Sequence, residues 1–460
     1  MLDIERNGKK GTLYLKVYEY YKNLILEKKL LPGSKMPSLR KSTQELKLSR
    51  TTIESAYLQL AADGYIISRA QSGYYVTSIA LHKQQAREEA SDTSPRCRFD
   101  FASSGVDRES FRFDLWSRYI KSALRQDERM LTYGEAQGER DFREALAAYI
   151  RERRNIICSP DDIVVGASVQ SLLQILCPLI KSISSFCCSE KTDPPSVSFP
   201  TPSFIQGSTV FEDFGYEVRY RNKDSDVIYV SPAHMTKWGE IMPVSRRLEL
   251  LRYASAHGSL VIEDDFENEF VYLQKPTPSL FGLSGGQGVV YIGSFSRLLL
   301  PSIRISFMVL PAPLLEVYQK KAVRYNQTAS KAEQIALCQF IRDGHLAAQT
   351  RKLKRLYSQK LKLLLDAVRG VFGEGCHIQI GAAGTSLALT LPISDFRCCG
   401  SISGISPGES LIRDARDHGV RIQMLRETEQ NVTVILSCSS MAPEDFVPAC
   451  RILREAAEKL

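Results

Sequence analysis

Seven short apolar runs, at 163–165, 197–199, 218–220, 227–230, 260–262, 289–292 and 305–309, punctuate the middle of this chain. Between several of them the apolar spacing is helical, at 168–180, 203–211 and 245–257. Strands separated by helices are joined by crossovers rather than hairpins, so the pattern demands a mostly parallel sheet covered on both faces. An α/β architecture follows for this region. After a long basic helix near 347–371 the strands thin out, to 377–380, 386–391 and 432–436, which suggests a smaller α+β lobe over about 345–460.

Length sets the number of such units. At 460 residues the chain holds roughly three domains of ~150 residues. With 43% hydrophobic and 24% charged residues it has globular proportions, which exclude a disordered or collagen-like chain. The apolar stretches 171–180 and 298–310 are too short to cross a bilayer and are broken by Pro178, Pro301 and Arg304. The first residues lack the apolar core of a secretory signal, so a cytoplasmic protein with no membrane partner is expected. Eleven cysteines occur with no C-x-x-C spacing and no clustered histidines, which predicts reduced, buried thiols and no metal site.

The charge is unevenly placed. Of 60 basic and 52 acidic residues, 14 and 7 lie in the first 83 positions, net +7, which leaves +1 for the other 377. A short basic head on a nearly neutral body points to a polyanion partner. Within that head Leu13, Val17, Tyr20, Tyr21, Leu24 and Ile25 recur at helical spacing until Pro32-Gly33. A second helix fits 39–46. A third begins with either Ser49 as its cap or a Thr51/Glu54 capping box, buries Ile53, Ala56, Tyr57 and Leu60, and ends at Gly64. Extended pieces at 65–68 and 74–77 flank Gln71-Ser72-Gly73 as a hairpin. Three helices and a hairpin make a winged helix-turn-helix over 10–78, followed by a polar linker at 79–99 and a body at 100–460. Arg40, Arg50, Thr51, Thr52 and Arg69 fall at helix starts or in the wing, where they reach phosphates or base edges of double-stranded DNA.

The segments MPSLR, LSRTTIESAYLQLAADGYI and SGYYV resemble the DNA-binding domain of the GntR superfamily. That resemblance implies DNA contacts from Arg40, Ser49, Arg50, Thr51 and Thr52, with Ser72 and Gly73 in the wing.

In a parallel sheet ligands bind at the carboxyl ends of the strands. Those ends carry chemistry here. Ser168 and Gln170 follow the first strand and open a helix, a natural phosphate cradle. Phe204 follows the second and offers either a core ring or a stacking face. Asp264 closes the run VIED, within an acidic group of Glu263, Asp265, Glu267 and Glu269 that alternatively reads as a solvated edge. Ser294, Ser296, Arg297 and Arg304 supply hydroxyls and cations for an anion. A ring face, a carboxylate and an anion cradle are what a phosphorylated pyridine requires.

The order of these features, with LTYGEAQGERDFREALAAYIRERR, VSPAHMTKWGEIMPVSRRLELL and IGSFSRLLLPSIRISFMVLP, is similar to fold type I aminotransferases. Joined to the head, it resembles the MocR-type regulators, and it implies the fold type I PLP-dependent transferase fold, a large mixed α/β sheet domain with a small α+β lobe. By the same resemblance Tyr133 reaches the pyridoxal phosphate of a second copy in a homodimer. Ser168 binds its phosphate, Phe204 stacks on its ring, Asp264 pairs with its ring nitrogen, and Ser294, Ser296 and Arg304 hold the phosphate.

One departure decides the mechanism. The family's Schiff-base lysine is Arg297 here, and a guanidinium neither loses its proton nor attacks an aldehyde. Phe266 stands for a tyrosine, Val169 for a polar residue, Thr236-Lys237-Trp238-Gly239 for an aromatic-Pro-Thr-Gly run, and Ile435 for a carboxylate-binding arginine. No catalytic residue is expected. The sequence reads as a DNA-binding regulator whose body senses a small anionic or pyridoxal-phosphate-like effector without a covalent bond. The alternative is an active aminotransferase that also binds DNA, with Lys237 as a substitute amine.

Overall fold

The computed structural model describes residues 10–27, 29–69, 72–77, 97–103, 105–107, 109–183, 194–233, 241–265, 277–373, 376–381, 384–393 and 406–459. The chain divides into two compact units, Met1–Pro95 and Arg96–Leu460. Only 97–99 of the expected linker fall among the described residues, and Gln71, Phe266 and the segment 236–239, with Lys237, lie outside them.

The head folds as α1 (Lys10–Leu26), α2 (Leu39–Leu46), α3 (Arg50–Ala62) and an antiparallel hairpin of β1 (Ile66–Arg69) and β2 (Gly73–Val76). Serines start both short helices: Ser38 accepts from the Lys41 N–H and Ser49 from the Thr52 N–H. The Ser49 cap is therefore the one used, and the Thr51/Glu54 box is not. Val17, Tyr21, Ile25, Ile53, Ala56, Tyr57 and Leu60 close the core with Met36 and Val76. A buried hydroxyl chain stitches the helices together: Tyr21 donates to Ser42 (2.8 Å), Ser42 contacts Tyr57 (2.9 Å), and Tyr57 donates to the Pro37 carbonyl (2.9 Å).

The body begins with β3 (Phe99–Asp100) and then builds a sheet from β4 (Ile163–Gly166), β5 (Ser196–Phe199), β6 (Glu217–Tyr220), β7 (Val227–Val230), β8 (Leu260–Asp264), β9 (Val289–Ser294) and β10 (Ser306–Val309). Its order is β4-β10-β9-β8-β7-β5-β6, parallel throughout except for β10, which runs antiparallel to both neighbours. The reversal has a local cause. Only residues 295–305 separate β9 from β10, too few for a crossover helix. Side chains alternate between two cores: Val165, Val261, Tyr291 and Phe307 face one, Val164, Ile262, Ile292 and Met308 the other.

The smaller lobe carries an antiparallel sheet ordered β11-β12-β15-β14, from β11 (His377–Ile380), β12 (Ser386–Pro392), β14 (Gln423–Glu427) and β15 (Asn431–Ser437). Here β13 (Val420–Arg421) pairs in parallel with β3, so Phe99 and Phe101 enter the lobe's core from the start of the body. A helix over His345–Phe372 spans both cores, with Leu353 and Tyr357 in one and Leu364 and Val368 in the other. Between them Lys360, 1% exposed, donates to Asp107 (2.7 Å) and to the Ser439 carbonyl (3.2 Å). That one ammonium ties the start of the body, the long helix and the small lobe together.

Candidate functional site

In the head, Arg40 and Arg50 occupy the exposed first turns of α2 and α3, and Thr51 is exposed beside Arg50. The Ser49 hydroxyl contacts those of Thr51 (3.0 Å) and Thr52 (2.7 Å) as well as capping the helix. Neither helix has an acid in its first turn or a base in its last. This reverses what the helix dipole prefers, so the arginines cost stability where they stand. A phosphate brought to the same place is met by guanidinium and helix start together. The Arg50→Ala protein should bind a selected operator duplex about 1–3 kcal/mol more weakly, roughly 5- to 150-fold in Kd, with thermal unfolding equal to or slightly above the parent's. Equal affinity in a fluorescence-anisotropy titration would rule out α3 as the reading helix.

In the body, strand registers bring most of the expected residues to one end of the sheet. Ser306 lies opposite Gly166 on one side and Ser294 on the other, which sets the turn to Ser168 beside the serine pair of β9. On the neighbouring strand Asp264 lies opposite Ile292, two residues before Ser294. The carboxyl ends of the parallel strands thus converge, as the sheet topology requires.

The chemistry at this end is concrete. Ser306 donates to the Ser294 hydroxyl (3.2 Å) and Ser294 to Ser296 (3.2 Å), a cluster of three hydroxyls. Ser306 escapes a reading by motif, because only the antiparallel register of β9 and β10 reveals it. Ser168 caps the helix Val169–Ile180 through a box with Ser171, which commits its hydroxyl and leaves first-turn N–H groups as the anion donors. Val169 packs against the core instead of offering a polar group. Arg304 is exposed and holds a left-handed backbone at φ 51, uncommon for a residue other than glycine.

Asp264 is 8% exposed and accepts the Tyr229 hydroxyl at 2.5 Å. Burial and that carboxylate push the Tyr229 phenol well above its ordinary range, so it stays a donor. Phe204 is half-buried with its ring tilted 34° over Tyr229 at 5.6 Å, and Tyr229 stacks on Phe199 at 4.9 Å. Gly207 permits this: a Cβ there would meet the Phe204 ring at 2.2 Å. Tyr229 is a site residue that the sequence reading missed, since a tyrosine inside a buried strand carries no signal of its own.

Glu263 and Asp265, the acids flanking Asp264, are not a solvated edge. Strand alternation sends them to the opposite face. Glu263 accepts the N–H groups of Leu280 and Phe281 at 2.9 Å each, and Asp265 takes a two-point contact from Arg154 (2.6 and 3.0 Å) and the Tyr291 hydroxyl (2.6 Å). Glu267 and Glu269 lie outside the described residues.

Arg297 is half-buried three residues beyond Ser294. Its charge reaches Tyr357, whose phenol burial raises and Arg297 pulls back. Ile435 is 7% exposed in β15, between Ala388 and Gln423. Tyr133 is 103% exposed in the single chain, and no hydrogen bond or ring contact among the described residues joins its side chain to the strand-end group.

Residues 13–76 match the family described as bacterial regulatory proteins, gntR family. The chain is 31% identical to an uncharacterized HTH-type transcriptional regulator, YdeL, of Bacillus subtilis strain 168, over 96% of each protein. It is 26% identical to the probable rhizopine catabolism regulatory protein MocR of Rhizobium meliloti, over 84% of this chain and 83% of that one. Among solved structures, an archaeal alanine:glyoxylate aminotransferase superposes with a TM-score of 0.65 at 18% identity, covering 83% of this chain and 96% of that chain. That identity carries the fold alone.

Proposed function

The chain belongs to the MocR-type transcriptional regulators of the GntR family, and from that premise we propose that its aminotransferase-like body is a ligand sensor that does not catalyse transamination. The single observation that carries this reading is Arg297 at the end of β9, where a nucleophilic amine would be needed. A guanidinium keeps its proton and holds an anion instead.

The strand-end residues fit a phosphorylated pyridine. Ser294, Ser296, Arg304 and the helix start at Ser168 would hold the phosphate, Phe204 would lie against the ring, and Asp264 would hold a proton at the ring nitrogen. Pyridoxal phosphate would supply an electron-poor ring and an aldehyde, and the guanidinium of Arg297 cannot trap that aldehyde. The ligand is therefore held without a covalent bond, and its binding changes how the head engages an operator. Tyr133 and Leu131, exposed at 103% and 87%, give the body a surface for a second copy and so support a homodimer. A cytoplasmic location suits a regulator of DNA, and no described helix is long and apolar enough to cross a membrane.

Calorimetric titration of the full chain with pyridoxal phosphate tests the reading. The titration should show binding, borohydride added to the complex should reduce the free aldehyde to the alcohol and leave no covalent adduct, and Asp264→Ala and Arg304→Ala should each weaken the binding roughly 10- to 150-fold. A reducible adduct together with steady transaminase turnover would overturn it.

A further inference from the structure

Residues 33–36, in the connection between α1 and α2, run antiparallel along the outer edge of the wing. The Gly33 N–H donates to the Val76 carbonyl (2.9 Å), the Val76 N–H to Ser34 (3.0 Å) and the Met36 N–H to Tyr74 (2.8 Å), with Lys35 bridged to Tyr75. This short extended pairing fixes side-chain direction by alternation. Met36 turns inward, 3% exposed, and Lys35 turns outward with its ammonium 5.9 Å from the centre of the Tyr75 ring.

The same ring carries a second cation. The Arg69 guanidinium lies 4.5 Å from its centre. The Tyr75 hydroxyl is joined to the Ser72 hydroxyl at the wing tip (2.7 Å), so the ring is held at both ends. Lys35 and Arg69 are both exposed, and neither forms an ion pair among the described residues. Two like charges on one fixed ring repel each other, and a shared anion removes that repulsion.

We propose that Lys35 and Tyr75 join Arg69 in a clamp for the phosphodiester backbone of duplex DNA, beside the wing and indifferent to base sequence. The proposal rests on the DNA-binding role of the head. Tyr75 is the positioning residue: it fixes the spacing of two cations that come from positions 35 and 69. A clamp on phosphates adds affinity equally on every sequence and sheds counterions when it engages.

The test is fluorescence anisotropy of the full chain with a duplex of arbitrary sequence, about 30 base pairs long, across about 50–200 mM salt. Lys35→Ala should weaken binding about 3- to 10-fold and flatten the slope of log K against log salt by ~0.9, while Lys35→Arg keeps both. In a Tyr75→Leu background the same Lys35→Ala change should cost clearly less, because the lysine has lost its support. An unchanged salt slope in Lys35→Ala overturns the clamp, as does an equal cost with and without the ring. A purely structural contact would shift thermal unfolding and leave the slope alone. Parent protein that fails to bind any duplex would instead remove the DNA-binding role itself, and the clamp with it.

Discussion

An Arg297→Lys protein, incubated with pyridoxal phosphate and reduced with borohydride, should carry close to one covalently fixed cofactor per chain, and the parent should carry none. The side chain at 297 starts from a rigid place: the end of β9 is anchored by Ser294 against Ser306, and Phe295 and Leu298 on either side are buried. Lysine can lose its proton in such a site and arginine cannot, so the substitution changes reactivity with little change in shape or charge. Turnover should not return with the adduct. Ile435 is a buried apolar side chain where the family resemblance places an arginine for the substrate carboxylate, so an amino acid has no anchor on that side. Intact-mass spectrometry separates the outcomes. An adduct on the parent would identify another amine, with Lys237 the first to examine, and would end the non-covalent reading. No adduct on the variant would mean that the pocket has lost its shape as well as its amine.

How much of this was legible in the sequence depended on whether a residue acts alone or through a register. The head was legible because its signals are local: a serine cap at 49 and a helical apolar stripe need only a few neighbouring residues, whereas the Ser38 cap came only with the structure. Six strands of the large sheet were legible as apolar runs, since β-strands buried on both faces leave few polar interruptions, and the edge strand β6, exposed or half-exposed along its length, was read from Val218 and Tyr220. Three strands were not. β3 and β13 have two residues each, and β14 is a half-exposed strand with a register shift between Met424 and Arg426, so none leaves a period-two trace. The site divides the same way. Asp264 and Arg304 announce themselves beside strand ends, whereas Ser306 and Tyr229 become site residues only through pairing with Ser294 and Asp264. Lys35 belongs to the wing by a pairing across 40 residues, from position 35 to position 75, which no local pattern encodes.

Removing Arg154 should destabilise the body by about 3–5 kcal/mol, a large share of the ~5–15 kcal/mol that holds a domain folded. Arg154 and Asp265 have side chains only 4% exposed, and their two-point contact is supported by the Thr277 carbonyl and the Tyr291 hydroxyl. Deleting the guanidinium leaves a buried carboxylate that keeps the Tyr291 hydroxyl but loses its two-point charged partner. The charge is also felt at Glu263, which burial and Asp265 push up to about 7 while Arg154 pulls it back. Arg154→Met keeps most of the packing volume, so its thermal unfolding should isolate the lost charge from a lost contact. Adding Asp265→Leu should recover much of the loss, because a pair of apolar groups removes the stranded carboxylate along with its partner. The two variants also separate stability from the site. Asp264 sits between the two pinned acids and faces the other way, so freeing Asp265 loosens the strand end that aims it. Pyridoxal phosphate should therefore bind less tightly to both variants, even where the double variant has regained its unfolding temperature. Affinity that recovers in step with stability would mean that Arg154 supports the fold alone and has no hand in placing Asp264.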